Sequence, residues 1–435
     1  MHKRLLAAAA LVVLAGCSAG EKNATRETSK TPAQDTVTIT KDPVELTIFY
    51  LSSDSSAEAF MSNYGDHIVK KYPNFKLNWI NTKNVTLADL AASGTKVDLF
   101  YAGGAATLWD SGFVADISEQ AKKFKMDLTK FDQSSLDGIR KASNGKLTGL
   151  PIYIQYHILY YNRAIFDRFG VPYLKDGMTW DDLLPIARRL TRLDGGVQYS
   201  GFGHRFFSAN WPINQYGQEL IDPSTGKVTF DTSPKWKTMF ETFLPFFQIQ
   251  GNPYQTGAVW ADQFAKDKTL AISAQLSGYA SSTTQFPEVD WDMASLPTFA
   301  DAPGVGTGPQ PFQFYPSTNS VHKDEAFAAL SVLASEDYQA WQARFAKYPA
   351  MKLDNMATIF ASEQPLLKGK NVNALLPKKF APALTLSQDA SAINGAISQS
   401  FDAAMKGQKD MNSALREATE QANKILAERK QANGK

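Results

Sequence analysis

Val44-Glu45-Leu46-Thr47-Ile48-Phe49-Tyr50 alternates Val44, Leu46, Ile48 and Tyr50 with Glu45, Thr47 and Phe49, the period of a strand with one buried face. Downstream, Phe60, Met61, Tyr64 and Ile68 recur at helical spacing. Phe75, Leu77 and Trp79 alternate again, and Val97-Asp98-Leu99-Phe100-Tyr101 is a short, mostly apolar strand bounded by Gly103-Gly104. Strand, helix, strand, second crossover and strand is the order that builds a parallel sheet with helices on its faces. The fold class expected is therefore α/β.

The pattern continues less clearly toward the C-terminus. Gly149-Leu150-Pro151 opens an apolar and aromatic stretch from Ile152 to Asn162. Thr179-Trp180-Asp181-Asp182 is a capping signal, because the Thr179 hydroxyl and the Asp182 carboxylate can satisfy first-turn amides. Leu183, Leu184, Ala187 and Leu190 form the apolar face of the helix that follows, and Pro185 is expected to kink it or shift its start. Leu270-Ala271-Ile272 reads as a buried strand, Ala294-Ser295-Leu296-Pro297 as a strand exit, and about Glu325 to Lys347 as a helix. In the last helix Ala414, Leu415, Ala418, Ala422, Ile425 and Leu426 share one face.

At the other end, Lys3 and Arg4 precede the twelve apolar or small residues Leu5 to Gly16, and Cys17 follows. A membrane span needs about 20 apolar residues, so this run is too short to be one and fits a signal peptide. Leu14-Ala15-Gly16-Cys17 resembles the bacterial lipobox, which implies lipidation of Cys17 after removal of residues 1–16. Cys17 is the only cysteine of the 435 residues, so the body has no disulfide. From Ser18 to about Asp42 the chain is polar without an apolar period and reads as a tether, making 17–42 a lipidated, flexible lead.

Loss of Lys3 and Arg4 takes the 45 basic residues to 43, equal to the 43 acidic ones. A neutral body lacks the positive field that nucleic acid requires, and equally the charge for adhesion to anionic lipid. The five histidines are scattered without ligand spacing, so neither a metal nor any other cofactor is expected. About 390 residues is too many for one core and implies two domains.

Several segments together resemble the family 1 extracellular solute-binding proteins, the maltose-binding-protein-like receptors of ABC sugar importers. Leu159-Tyr160-Tyr161-Asn162-Arg163-Ala164-Ile165-Phe166-Asp167-Arg168-Phe169-Gly170-Val171 is similar to that family's YYN segment. Met178-Thr179-Trp180-Asp181-Asp182-Leu183-Leu184 resembles its TWDEL helix start. Lys268-Thr269-Leu270-Ala271-Ile272 resembles its G-K-A-A-M strand, with Asp267 where glycine is usual. Met405-Lys406-Gly407 through Ala414-Leu415 resembles its final helix. Two departures fall near the expected ligand. Pro311-Phe312-Gln313-Phe314-Tyr315 replaces a frequent glycine pair, and Gln275-Leu276-Ser277-Gly278-Tyr279 lacks the tryptophan of a G-x-W segment.

The resemblance implies a two-lobed periplasmic-binding fold (type II), each lobe a mainly parallel sheet flanked by helices and joined by hinge strands. It implies lobe 1 at 43–152 and 298–347, lobe 2 at 153–297 and 348–428, and a tail at 429–435. Crossings are expected near Ile152 to His157, around Leu296 to Thr298, and after Lys347. It also implies a non-enzymatic, monomeric receptor on the outer face of a membrane, commonest on Gram-positive cells, with an ABC permease and its ATPase as partners.

Sugars present hydroxyls at the rim and a weakly apolar C–H face, so their sites pair aromatic platforms with short polar groups. The chain holds 27 Phe, 16 Tyr and 8 Trp, and the informative ones lie at strand ends, where ligands of open α/β sheets bind. After the first strand, Ser53 and Asp54 offer ligand contacts or a helix cap. After the third, Gly103 and Gly104 offer backbone amides or a plain turn. Tyr153, Gln155, Tyr156 and His157 are polar-tipped residues in an apolar stretch and need partners when buried. Trp211 sits in a glycine-flanked loop, while Gln313, Tyr315 and Tyr279 add amide and aromatic groups; for each of these, packing is the competing reading.

Other functions leave different marks. A lipid-anchored glycoside hydrolase needs two carboxylates about 5 to 9 Å apart, and neither a catalytic carboxylate motif nor a nucleophile elbow is present. A non-sugar solute on the same fold would call for clustered Tyr, His and carboxylate ligands or several cleft carboxylates. A purely structural surface lipoprotein would show no ligand-linked stabilisation.

Overall fold

β1 (Val44–Tyr50) lies between β2 (Phe75–Asn81) and β3 (Leu99–Ala102), parallel to both. The computed structural model describes residues 37–432 apart from 52–55, 84, 103–107, 109–110, 205–213, 283, 287 and 386. Val44, Leu46 and Ile48 bury on one face of β1 as the alternation requires. Phe49 is buried too, against Phe100 on the opposite face, because this sheet is covered on both sides.

Three later strands complete this first sheet: β4 (Leu150–Gln155), β11 (Gln310–Pro316) and β12 (Tyr348–Pro349), in the order β12-β4-β11-β3-β1-β2. The second sheet runs β10-β5-β9-β8, from β5 (His157–Asn162), β8 (Gly203–His204), β9 (Ile272–Leu276) and β10 (Trp291–Ser295). A separate hairpin of β6 (Arg192–Asp194) and β7 (Val197–Tyr199) turns at Gly195-Gly196, both with positive φ as a primed turn requires. Both main sheets are mixed. The parallel pairs are β1 with β2 and β3, and β8 with β9, whereas β4, β5, β10, β11 and β12 pair antiparallel with their neighbours. Those antiparallel strands flank the passages between sheets, and they come from distant parts of the sequence rather than from local crossovers.

The stretch from Ile152 to Asn162 splits in two at Tyr156: β4 belongs to the first sheet and β5 to the second. The chain returns between β10 and β11, and leaves again after β12. Its last helices, Gln388–Met405 and Met411–Ala432, bury Ile393, Ile397, Phe401, Ala414 and Ala418 in the core around the second sheet. Phe401 there meets Phe240 edge-to-face at 5.0 Å.

Local signals mostly resolve as their chemistry dictates. Thr179 and Asp182 form a reciprocal capping box for the helix Trp180–Leu190. Pro185 does not shift the start of that helix, which this cap sets. The segment expected as one helix to Lys347 is two, Lys323–Leu333 and Glu336–Arg344, because the Ser335 hydroxyl accepts from the Tyr338 amide and starts a new one. The helical stretch after β1 contains a π-turn, Met61–Gly65, between Ala57–Phe60 and Asp66–Lys71.

Candidate ligand-binding cleft

Strand direction fixes where the two sheets meet. In the first sheet β1, β3 and β4 point the same way, since β11 is antiparallel to both β3 and β4, and β4 ends at Gln155 beside Gln310. In the second, β5 starts at His157 opposite Leu276, the last residue of β9, and Ser295 at the end of β10 pairs with Ile158. The carboxyl ends of β1, β3, β4, β8, β9 and β10 therefore face the same passage, the level of Gln155 to His157. A ligand held beyond those ends touches both lobes at once.

Ser53, Asp54, Gly103, Gly104 and Trp211 follow β1, β3 and β8 in sequence and lie outside the described residues, as does Cys17. The other predicted residues separate into groups. Tyr153 stacks on Phe312, ring centroids 4.9 Å apart and 8° from parallel. Its hydroxyl lies 3.3 Å from that of Tyr101, which lies 2.6 Å from that of Tyr64. Tyr101 also stacks on Phe314 and tilts against Tyr50, and Tyr50 stacks on Trp79. This end of the first sheet thus carries a continuous aromatic cluster, with Tyr64, Tyr101, Tyr153 and Phe314 buried and Tyr50, Trp79 and Phe312 partly buried at its margin. Burial pushes the Tyr64 and Tyr101 phenols well up, so they stay neutral hydrogen-bonding groups.

Gln155 marks a second place where the lobes touch, while Tyr279 packs edge-to-face on Phe286, ring centroids 6.2 Å apart, in the core around the second sheet. The Gln155 amide packs on Gly278, where an added Cβ would come within 3.1 Å of its Cδ. A side chain there would fit only if the Gln155 amide gave way by a few tenths of an ångström. Next to it the Tyr156 carbonyl accepts from the Ser277 amide at 2.7 Å, and the Tyr160 hydroxyl donates to the carbonyls of Leu276 and Ser277.

Gln313 and Tyr315 do not join Tyr153. They alternate with Phe312 and Phe314 and so fall on the opposite face, paired with Ala102 and Phe100, where both are buried; the register shift between Phe312 and Gln313 leaves Ile152 of β4 without an opposite residue. Tyr156 donates its hydroxyl to the Leu375 carbonyl at 2.5 Å, and His157 is buried with its backbone amide on the Thr307 hydroxyl. Both anchor the passage. A cavity of about 440 Å³ lies beside it, lined among others by Tyr156, His157, Thr298, Thr307 and Lys378.

Sequence reading passed over Tyr50, Tyr64, Trp79, Tyr101, Phe312 and Lys347. Tyr50 and Tyr101 sit at or next to strand carboxyl ends, a signal available from the alternation; Lys347 gave none. Among the described residues no cluster of His, Cys, Asp and Glu is placed to hold a metal, and no helix is long and apolar enough to cross a membrane.

Residues 53–340 match the family described as Bacterial extracellular solute-binding protein. The chain belongs to this family. Its members are receptors rather than enzymes, and the two-lobed fold is theirs. A Rhizobium etli sugar transporter in an open conformation superposes with a TM-score of 0.68 at 22% identity, covering 87% of this chain and 99% of its own. An ABC substrate-binding protein from Listeria monocytogenes, in complex with cycloalternan, gives 0.68 at 18%, covering 89% of this chain and 100% of its own. A mannitol-binding protein of Pseudomonas aeruginosa is 24% identical over 245 residues, 48% of this chain and 54% of that relative. The chain thus matches about half the length of that curated relative.

In this solute-binding protein the Tyr101 hydroxyl bridges Tyr64 and Tyr153 in a dry setting. Tyr101→Phe removes one hydrogen-bond partner from each neighbour and is expected to cost about 1 to 2 kcal/mol of unfolding free energy by urea titration. A change under about 0.3 kcal/mol would show that these phenols do not depend on one another.

Proposed function

We propose that the protein is the lipid-anchored, extracytoplasmic receptor of an ABC importer, binding a sugar or oligosaccharide between its lobes and delivering it to a membrane permease. The observation that carries this reading is the stacked pair Tyr153–Phe312, continuous with Tyr101, Tyr50 and Trp79, at the carboxyl ends of the first sheet. Aromatic faces of this kind pack on the C–H side of a pyranose, while the Gln155 amide and the segments carrying Ser53, Asp54, Gly103, Gly104 and Trp211 supply polar contacts. The bound cycloalternan and the mannitol of the related proteins support a carbohydrate or polyol. Cys17 carries the lipid and residues 17–42 the tether, which keeps a monomeric receptor at high effective concentration near its permease and ATPase. On this reading the lobes follow the two sheets, so the expected bounds at 152 and 347 move to the end of β4 at Gln155 and the end of β12 at Pro349, with lobe 2 running on to 428; the host is a Gram-positive cell.

Thermal and urea denaturation with a panel of sugars, oligosaccharides and polyols tests it. A ligand at 100 times its Kd adds about 2.7 kcal/mol. At least one carbohydrate is expected to stabilise by that order; a panel without any shift, alongside stabilisation by amino acids or peptides, removes the sugar reading.

A further inference from the structure

Lys347 precedes β12, whose Tyr348 pairs with Ile154, so it stands level with Gln155 at the end of the first sheet that meets the second. The residue is half-buried, and its ammonium is enclosed. Nζ donates to Asn63 Oδ1 at 2.8 Å and lies 5.6 Å from the ring centroids of both Tyr64 and Tyr153. Asn63 and Tyr64 belong to the π-turn, and the Tyr338 hydroxyl holds that turn by donating to the Asn63 carbonyl at 2.6 Å. π-turns recur at functional sites because they re-aim side chains within a helix.

An ammonium has three N–H donors, and among the described residues one acceptor is present. Among the described residues no carboxylate forms an ion pair with Lys347. The surrounding phenols do not supply the missing charge either, because burial pushes Tyr64, Tyr101 and Tyr338 well above their usual range. Burial alone draws the Lys347 ammonium down to about 8, as expected of a cation without a counter-ion. Ring faces offset part of that cost, and an anion arriving beside the ammonium would offset more of it.

We infer that Lys347 is an anion-recognition residue, and that the solute is an acidic saccharide whose carboxylate or phosphate pairs with Nζ while its ring lies on the Tyr153–Phe312 surface. This rests on the carbohydrate reading and narrows it. A neutral sugar would satisfy the two remaining donors and leave the charge uncompensated; a uronate or a sugar phosphate satisfies both.

The test is isothermal titration of the full protein against matched sets: each neutral sugar or oligosaccharide, its uronate, and its phosphate ester. At least one anionic form is expected to bind tenfold or more tighter than its neutral counterpart, and the set that does so distinguishes carboxylate from phosphate. Lys347→Met should bring that ratio close to one, while Lys347→Arg retains most of it. Should Lys347→Met not fold, the wild-type protein still decides: raising salt from 50 to 500 mM should weaken the anionic ligand several-fold and leave the neutral one within twofold. Neutral forms binding as tightly as anionic ones overturn the inference and leave the carbohydrate reading standing. No binding by any set removes both.

Discussion

Lowering the pH from 7 to 5 should remove about 2 kcal/mol or more of unfolding free energy, through the buried imidazoles of His157 and His204. Both side chains are nearly inaccessible, at 2% and 1% exposure. They sit on strands of the second sheet that flank β9 on either side, His157 opposite Leu276 and His204 opposite Ala274. Burial draws His157 from 6.5 down to about 3. Burial first, and then the repulsion that two protonated imidazoles would feel, holds His204 well below its usual range. Each folded pKa lies below its unfolded value, so between these values the unfolded chain binds more protons and stability rises with pH. The contribution is intact above about 6.5 and is lost as pH falls toward 3. At pH 5 His157 alone accounts for about 1.5 pH units at 1.36 kcal/mol each, about 2 kcal/mol. His204 acts in the same direction, and His67, lowered chiefly by partial burial, adds a smaller part. Urea titrations at pH 7, 6 and 5 measure the slope, and His157→Gln should reduce it by about one proton. A stability independent of pH across that range would mean the imidazoles are solvated in the folded protein.

What could be read from the chain divides along a physical line. The start of the first sheet, the capping box at Thr179, a buried strand (expected at Leu270 to Ile272, found at Ile272–Leu276) and the apolar face of the last helix all rest on neighbours within a few residues. Each was legible. The division at Tyr156 was not, because an unbroken apolar run satisfies one long strand or two short ones equally. Pairing of β4 with β11 and of β5 with β9 makes the choice, and those partners lie more than 100 residues away. Gln313 and Tyr315 illustrate the same limit within one strand: they alternate with Phe312 and Phe314, and the pairing of Phe312 with Tyr153 decides which of the two sets shares the face of Tyr153. A one-residue offset exchanges the two faces of a strand, and composition does not reveal it. Lys347 was read as the end of a helix, and only the packing of Asn63, Tyr64 and Tyr153 around it gives its amine a meaning.

Trp180→Ala is the substitution expected to cost most, about 3 to 5 kcal/mol. Its indole is 2% exposed and meets Phe243 edge-to-face at 4.6 Å, with Phe202 and Phe246 beyond. Truncating a buried tryptophan leaves a cavity that surrounding rings fill only in part. The polar edge adds a second consequence. Trp180 Nε1 donates to Gln215 Oε1 at 2.7 Å, and Gln215 Nε2 donates at 2.8 Å to the carbonyls of Pro297 and of Val305. Those carbonyls lie on the connection by which the chain passes from β10 back to β11. The indole therefore orients an amide that ties the passage between lobes, and its loss strands a buried acceptor. Trp180→Phe separates the two effects: it keeps most of the ring volume and should cost only about 1 to 3 kcal/mol, mainly for the orphaned Gln215 oxygen. If the lobes close about this passage as the proposed function requires, Trp180→Phe should also change ligand affinity more than its stability loss alone would require, through the population of the closed form. Urea denaturation and ligand titration on the same preparations give both quantities. A Trp180→Ala protein within 1 kcal/mol of the parent would show that this core collapses around the gap and that Gln215 holds the passage without help.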